Sequence, residues 1–423
     1  MSMKKYYMSQ MILSLTVVSL AIMFPSCSSE DKTDAPQDRT EIVLDEATRA
    51  AASELKGFYV KFTTDAVRYV DEKSEGSQNI VVSPLSASML LSMLANGVEE
   101  EERQEIADYL GIADIDAVNS LSRRLIDELP KADRTTELRL ANSVWVSDEH
   151  KLNGAFFSRV QSDYMAQVCY ENFRTGLDKT LQKINRWSST HTNGLIPEVT
   201  DQVKPGCRVI LLNSMYFNGV WDEEYFSKKD TGRDVFHGIN GDTEVDMMHS
   251  SKHNIYYNRT DDFEIFTLAF GNCSYLIKFV VPDERLSLSE ANELLTSETL
   301  DQLSEDAVNV SLDVYLPKFE VNRALLLNDI FDEGKLPIAN KEIMLEMFDP
   351  AMSGLMDFYQ VTSFRIDEKG VEAAATTVGN DVNLAPEIKP GESYTIKVDR
   401  PFYFFIKEFS TGAWVLSGRI TDL

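Results

Sequence analysis

Apolar and polar positions alternate differently in the two parts of the chain. From Asp45, "TRAAASELKGFYVKFTTDAVRYV" repeats apolar residues at helical spacing. "NIVVSP" predicts a short strand, and "SASMLLSMLANG" a buried helix closed by Gly97. "VEEEERQEIADYLG" reads as a charged amphipathic helix ending at Gly111, "LRLANSVWV" as a strand, and "LQKINRWSSTHTNG" as a helix ending at Gly194. The continuous apolar run "VILLNSMYF" predicts a fully buried strand. After residue 230 strands dominate: "FEIFTLAF", "SYLIKFVVP", "VNVSLDVYLPKFEV", "QVTSFRID", "SYTIKV" and "PFYFFIKEF". There is no internal repeat, no regular strand–helix alternation and no break wide enough for a domain boundary. Residues 45–423 therefore predict one α+β domain, with helices mostly early and strands mostly late.

One stretch fits neither pattern. "DEKGVEAAATTVGND", residues 367–381, sets three alanines between two strand-like segments, with loop-like "VNLAPEIKPGE" after it. Every second residue from Val371 gives Val371, Ala373, Ala375 and Thr377, all uncharged and mostly small. The alternate set is Glu372, Ala374, Thr376 and Val378, so the one charge falls on one side. Such a segment can lie in a sheet with its uncharged side buried. Gly370 sits where the chain must bend.

Composition narrows the function classes. The chain has 423 residues, 43% hydrophobic and 10% aromatic, which supports a large core and excludes global disorder. The formal net charge is −27, which repels phosphate backbones and disfavours nucleic acid as a partner.

The first residues read as a targeting segment. Lys4 and Lys5 precede an apolar run from Met11 to Phe24, too short for a membrane span and suited to a signal sequence. It ends in "FPSC", which resembles a relaxed bacterial lipobox; the alternative is an ordinary cleavage site with an incidental cysteine. The resemblance implies a signal peptide over residues 1–26, a lipid on Cys27, and an acidic tether over residues 27–44. "SSED" after Cys27 is a Ser-plus-acidic tract of the kind that accompanies export to the cell surface. The expected location is the outer membrane through this anchor, on the cell surface or else on the periplasmic side.

No enzyme motif is present: no GxSxG, HExxH, phosphate loop or GxGxxG. His249 and His253 in "HSSKH" have i, i+4 spacing, but the context reads as loop and no third ligand is near, so no metal and no cofactor are expected. Cys169, Cys207 and Cys273 lack CxxC spacing and read as small core residues, with one optional bridge as the alternative.

Seven collinear strings then become specific: "NIVVSPLSASMLLSMLANG" (79–97), "LRLANSVWV" (138–146), "THTNGLI" (190–196), "LLNSMYFNGVW" (211–221), "VYLPKFEV" (314–321), "IDEKGVEAAATT" (366–377) and "RPFYFFI" (400–406). In order and spacing they resemble the signature segments of the serpin family. The resemblance implies a single large domain of three β-sheets and eight or nine helices, with an exposed reactive centre loop over about residues 368–398. It also implies a monomer that is not an enzyme but a suicide inhibitor of serine proteases. The protease cuts the loop, is held as an acyl-enzyme, and is dragged along as the loop inserts into the large sheet. A non-inhibitory serpin, acting as a binding or scaffold protein, is the rival reading.

Carried over residue by residue, the hinge falls on Glu368, Gly370, Val371, Ala373, Ala374, Ala375, Thr376 and Thr377. It holds no proline and no bulky charge on the inserting side, as inhibition requires; Val371 replaces the usual Thr or Ser. Glu368 and Lys318 match a salt bridge at the loop base, and Trp221 a tryptophan beside it. Ser83, Ser86 and Asn213 match the hydrogen-bonded region where the sheet parts. Gln360 replaces a histidine there, "FDPAMSGLMDFYQ" matches loosely, and the final "GRITDL" lacks the usual proline. Family spacing puts the reactive bond at Leu384–Ala385, with Val382–Asn383 as the rival because the loop is several residues longer than usual. A leucine there suits chymotrypsin-, elastase- or subtilisin-like proteases. Trypsin-like targets are disfavoured, since no Lys or Arg lies between Lys369 and Lys389.

Overall fold

The computed structural model describes residues 39–74, 79–222, 225–368 and 392–423. Contacts divide the chain into Met1–Ala35 and Pro36–Leu423, and the second unit carries all the described residues. In order these form α1 (Glu46–Ser74), β1 (Ile80–Val82), α2 (Pro84–Ala95), α3 (Glu100–Leu110), α4 (Ile115–Ala132), β2 (Glu137–Ser147), α5 (Gly154–Tyr164), β3 (Gln167–Glu171) and α6 (Leu177–His191). Strands then prevail: β4 (Cys207–Asn218), β5 (Gly232–Gly238), β6 (Gly241–Arg259), β7 (Phe263–Phe270) and β8 (Tyr275–Pro282). After α7 (Leu288–Leu294) and α8 (Ser297–Glu305) come β9 (Val308–Pro317), β10 (Phe319–Leu326) and α9 (Asn328–Glu333). A short 3-10 turn (Pro337–Asn340), β11 (Ile343–Leu345), β12 (Met352–Ile366), β13 (Ser393–Lys397), β14 (Phe402–Glu408) and β15 (Trp414–Ile420) complete the chain.

A six-stranded sheet runs β10-β12-β4-β2-β3, with β11 on β12. A nine-stranded sheet runs β1-β15-β14-β8-β7-β6-β9-β13, with β5 on β6. A register shift in β6 between Ser250 and His253 divides the longer sheet. Before it β6 carries β5, and near its end it pairs with β7, so the strands fall into three groups. All twelve residues of α2 are buried in the core between the sheets. Its start follows from sequence: the Ser83 side chain accepts the Ser86 N–H, and Pro84 stands at the first helical position, where no N–H is needed.

Several local expectations shift. The helix ends at Ala95 with Asn96 as its cap, and Gly97 serves close packing: a Cβ there would lie 2.8 Å from Met347 and Phe156. Gly111, at φ 68°, does end α3 in the left-handed conformation. "HSSKH" is not loop but part of β6, where four residues span about 13 Å of extended chain, too far to share an ion. His249 stacks on Tyr315 instead, with ring centroids 4.2 Å apart. Packing begins before Asp45: Ile42 and Leu44 are buried, and Ile42 N–H donates to Ser410 Oγ at 2.9 Å. Within the range expected for the loop, Ser393–Lys397 is strand β13, paired in parallel with β9.

Candidate functional site

The site is built where β12 ends. Lys318, the residue joining β9 to β10, reaches Glu368 with Nζ 3.2 Å from the carboxylate. Thr231 Oγ1 donates to the same carboxylate at 2.9 Å, and Asp246 lies 3.6 Å from Lys318 Nζ. Burial works against the Glu368 anion, but its own backbone N–H, the Thr231 hydroxyl and the Lys318 ammonium outweigh it. They hold the carboxyl below its usual range. Trp221 Nε1–H donates to the carbonyl of Asp367 at 3.0 Å, while its ring stacks on Phe270 at 4.7 Å. The backbone leading into Glu368 is therefore pinned from both sides.

β12 runs parallel to β4, from Leu355 beside Cys207 to Phe364 beside Phe217. The pair is a seam: the strands on its outer sides, β10 and β2, pair antiparallel with it. Parallel ladders are slightly weaker per residue than antiparallel ones. A segment turning back after Glu368 would run antiparallel to both β12 and β4.

A polar row crosses the seam. Gln360 pairs with Asn213, and Asn213 with Asn142, on three neighbouring strands. Gln360 accepts the Ser83 N–H and donates to the Ser83 carbonyl, both at 2.8 Å, fastening β12 to the start of α2. Asn213 donates to Asn142 at 2.7 Å, and Asn142 to the Tyr164 carbonyl at 3.0 Å. Thr362 Oγ1 donates to the Val81 carbonyl at 3.0 Å. Ser86 Oγ and Asn213 Oδ1 are buried with no hydrogen-bond partner among the described residues. Buried polar atoms with spare capacity are those that can re-pair when the strands separate.

The other face of the seam is covered. Ile184 and Trp187 of α6, with Ile196 beyond it, pack on Trp145, Ile210, Leu212, Tyr359 and Val361. Asn185 accepts the Val199 N–H at 2.8 Å and Ser188 donates to the Ile196 carbonyl at 2.8 Å, so α6 and the segment after it form one flap. Tyr359 OH donates to Thr200 Oγ1 at 3.1 Å and ties the flap to β12. At the far end of the seam, burial pushes the Asp357 carboxyl up, only partly countered by Lys204 at 3.5 Å, and pushes the Cys207 thiol up. All three described cysteines are free.

The structure thus brings Lys318, Glu368 and Trp221 together at the loop base, and Ser83, Ser86, Asn213 and Gln360 together under the seam. Gly370, Val371, Ala373, Ala374, Ala375, Thr376 and Thr377, the bonds Leu384–Ala385 and Val382–Asn383, and Cys27 lie outside the described residues. Thr231, Asp246 and Asn142 were not expected. Asn142 had a signal, a polar residue at an inward position of the apolar strand "LRLANSVWV"; Thr231 and Asp246 sit in polar surroundings that offer none.

Comparison with known proteins agrees with this geometry. The family model Serpin, described as serine protease inhibitor, matches residues 59–423. A serpin-like protein of Methanosarcina mazei is 24% identical over 426 residues, spanning 98% of this chain and 98% of that protein. Leukocyte elastase inhibitor A of Rattus norvegicus is 25% identical over 367 residues, spanning 82% of this chain and 94% of its own. The crystal structure of tengpin, a thermophilic serpin in its native state, matches with a TM-score of 0.74 at 24% identity, covering 92% of this chain and 97% of that one. With the matched model covering most of its length and the sheets arranged as described, the chain belongs to the serpin family and has the serpin fold.

Proposed function

We propose that this serpin is a suicide inhibitor of serine proteases with apolar primary specificity, of the elastase, chymotrypsin or subtilisin kind. The observation that carries the reading is the parallel β4–β12 seam, which is latched at Glu368 directly before the hinge sequence. Inserting the segment after Glu368 replaces one parallel ladder by two antiparallel ones. If the chain returns so that Val371 pairs with Ile366, Ala373 falls beside Phe364, Ala375 beside Thr362 and Thr377 beside Gln360. Cross-strand partners share a face, and those β12 residues are buried on the core side. The uncharged side of the hinge then meets the core, and its one polar member past Ala375 meets the polar row.

The run from Gly370 to Leu384 has the length of β12, fifteen residues. In that register full insertion would set Val382 beside Leu355, where β12 ceases to pair with β4, and Leu384 two residues beyond, about 45 Å from Val371. We take Leu384–Ala385 as the bond offered to the protease on the family spacing, with Val382–Asn383 as its rival.

The decisive experiment incubates the protein, lacking residues 1–26, with elastase, chymotrypsin and subtilisin. SDS-stable complexes are expected with at least one of them, and mass spectrometry of the released fragment should give an N-terminus at Ala385. Cleavage without complex at every ratio would overturn inhibition in favour of a binding or scaffold role. We further propose that Cys27 carries a lipid that holds the monomer at the outer membrane, on the cell surface. Labelling with an alkynyl palmitate analogue should mark the wild type and not Cys27→Ala, and protease shaving of whole cells should release the domain.

A further inference from the structure

At the end of the seam remote from Glu368, the β4–β12 register slips. Leu355 stands beside Cys207 and Met356 beside Val209, so Arg208 of β4 has no register partner on β12. Such an extra residue re-aims its side chain. The Arg208 stem lies across the junction onto Gly354 of β12, where a Cβ would stand 2.4 Å from Arg208 Cγ. Glycine at 354 is what gives the arginine this course.

The guanidinium placed there is unused. Arg208 Nε is buried with no hydrogen-bond partner, and no carboxylate lies within ion-pair distance of it, among the described residues. His150, in the turn after β2, also has a buried Nε2 with no partner. Its ring packs on Phe348 with centroids 5.5 Å apart. Burial, then Arg208, then Arg174 hold the His150 imidazole below its ordinary range, against a smaller opposing effect of Glu149. Arg208 and His150 are therefore neighbours, each with a donor to give. The other cations nearby are engaged: Arg174 by Glu149 at 3.1 Å and Lys204 by Asp357 at 3.5 Å. A buried guanidinium nitrogen without an acceptor is unfavourable, and its forked donors suit a carboxylate.

We propose that Arg208, assisted by His150, receives the α-carboxylate that completed cleavage creates at Leu384. The inference rests on the strand insertion proposed above. In that register Leu384 falls beside Ser353, the neighbour of Gly354. Strands in a sheet lie ~4.8 Å apart, so a strand entering the seam carries Gly354 out from under the Arg208 stem. The last residues of the incoming strand take its place. While the protease is held as an acyl-enzyme, the Leu384 carbonyl is an ester and offers no anion. Deacylation adds water at that carbonyl: one oxygen stays on Leu384 as carboxylate, the protease serine leaves with its hydroxyl restored, and a proton passes to solvent. Arg208 then stabilises the hydrolysed chain and leaves the trapped complex unaffected. Glu342, close to Gly206, is the acid that the new carboxylate must clear.

Peptides of sequence 370–384, one a free acid and one a C-terminal amide, test this when annealed to the intact protein. Both are expected to insert and raise the melting temperature, the acid by about 3 °C or more beyond the amide. That difference should disappear in Arg208→Met, return in part in Arg208→Lys, and shrink in His150→Gln. Without peptide, Arg208→Met should melt no lower than wild type, because the side chain removed has no partner. A free acid ending at residue 382 should gain less over its amide than the longer one. Equal melting with acid and amide, a difference that survives in Arg208→Met, or a larger gain for the shorter acid would overturn the carboxylate site and leave insertion standing. Failure of both peptides to raise the melting temperature would overturn insertion, and this inference with it.

Discussion

At the scale of single residues, Gln360 and Glu368 do different work. Gln360 satisfies both backbone groups of Ser83 at a position with no access to water. Gln360→Leu leaves the buried Ser83 N–H unpaired, while the Ser83 carbonyl keeps the Ala87 N–H at 3.0 Å, so a loss of about 1–3 kcal/mol in stability is expected. An unchanged melting temperature would show that the row does not fasten the seam. Glu368 is anionic at neutral pH because Thr231 and Lys318 hold it there. Its folded pKa lies below its unfolded value, ~4.3 for an ordinary glutamate. Its contribution is therefore full above that value and is lost as pH falls through the lower, folded pKa. Glu368→Gln should cost about 1 kcal/mol at pH 7, a modest figure because the Lys318 side chain is partly exposed. The difference from wild type should shrink as pH falls below the ordinary glutamate range, and denaturant melts at pH 7 and at successively lower pH check it. Glu368 and Lys318 were legible because they sit in specific strings, and Gln360 only through the loosely matching "FDPAMSGLMDFYQ". Thr231 was not, since the partner that makes it matter lies 137 positions away.

At the scale of elements, local periodicity read well where an element is buried on one side or throughout. The largely apolar, buried run of β4 and the capped start of α2 are examples. It failed at "HSSKH", because a half-exposed strand carries polar residues, and only pairing with distant β9 makes it strand. The parallel adjacency of β4 and β12 is likewise invisible locally, since the register joins residues near 210 to residues near 360. On the proposed mechanism, that adjacency is where the hinge sequence would enter. Ala375→Glu places a carboxylate where the proposed return sets Ala375 beside buried Thr362. The expected outcome is normal native stability with conversion from inhibitor to substrate: cleavage proceeds and SDS-stable complex falls about tenfold or more. Glu372, which the same return sets beside exposed Arg365 on the flap side, should tolerate change: Glu372→Ala should leave complex formation near wild type. Equal effects of the two substitutions would contradict the face assignment.

For the whole molecule, the outcome of an encounter with a protease depends on which of two states lies lower in free energy. The intact protein keeps a parallel seam closed by a latch, a polar row with unused acceptors and a flap laid across it. Each is a contact that can be remade around an added strand: α6 can settle back on its outer face, and Asn213 can pair with the newcomer. The proposed insertion would add two antiparallel ladders and bury the small side chains of the hinge, whereas an uncut loop, joined at both ends, would be restrained in how far it could travel. Cutting at the proposed Leu384–Ala385 bond would remove that restraint. The cut chain should therefore melt on the order of 10 °C or more above the intact one, equivalent to several kcal/mol for a domain of this size. The comparison should be made at several scan rates, because intact melting reports an unfolding rate as well as an equilibrium. Ala375→Glu, cut at the same bond, should lose most of the rise while its intact form melts as wild type does. A cut wild-type chain melting with the intact one would mean that the seam does not admit the strand, and that the latch, row and flap stabilise a single state.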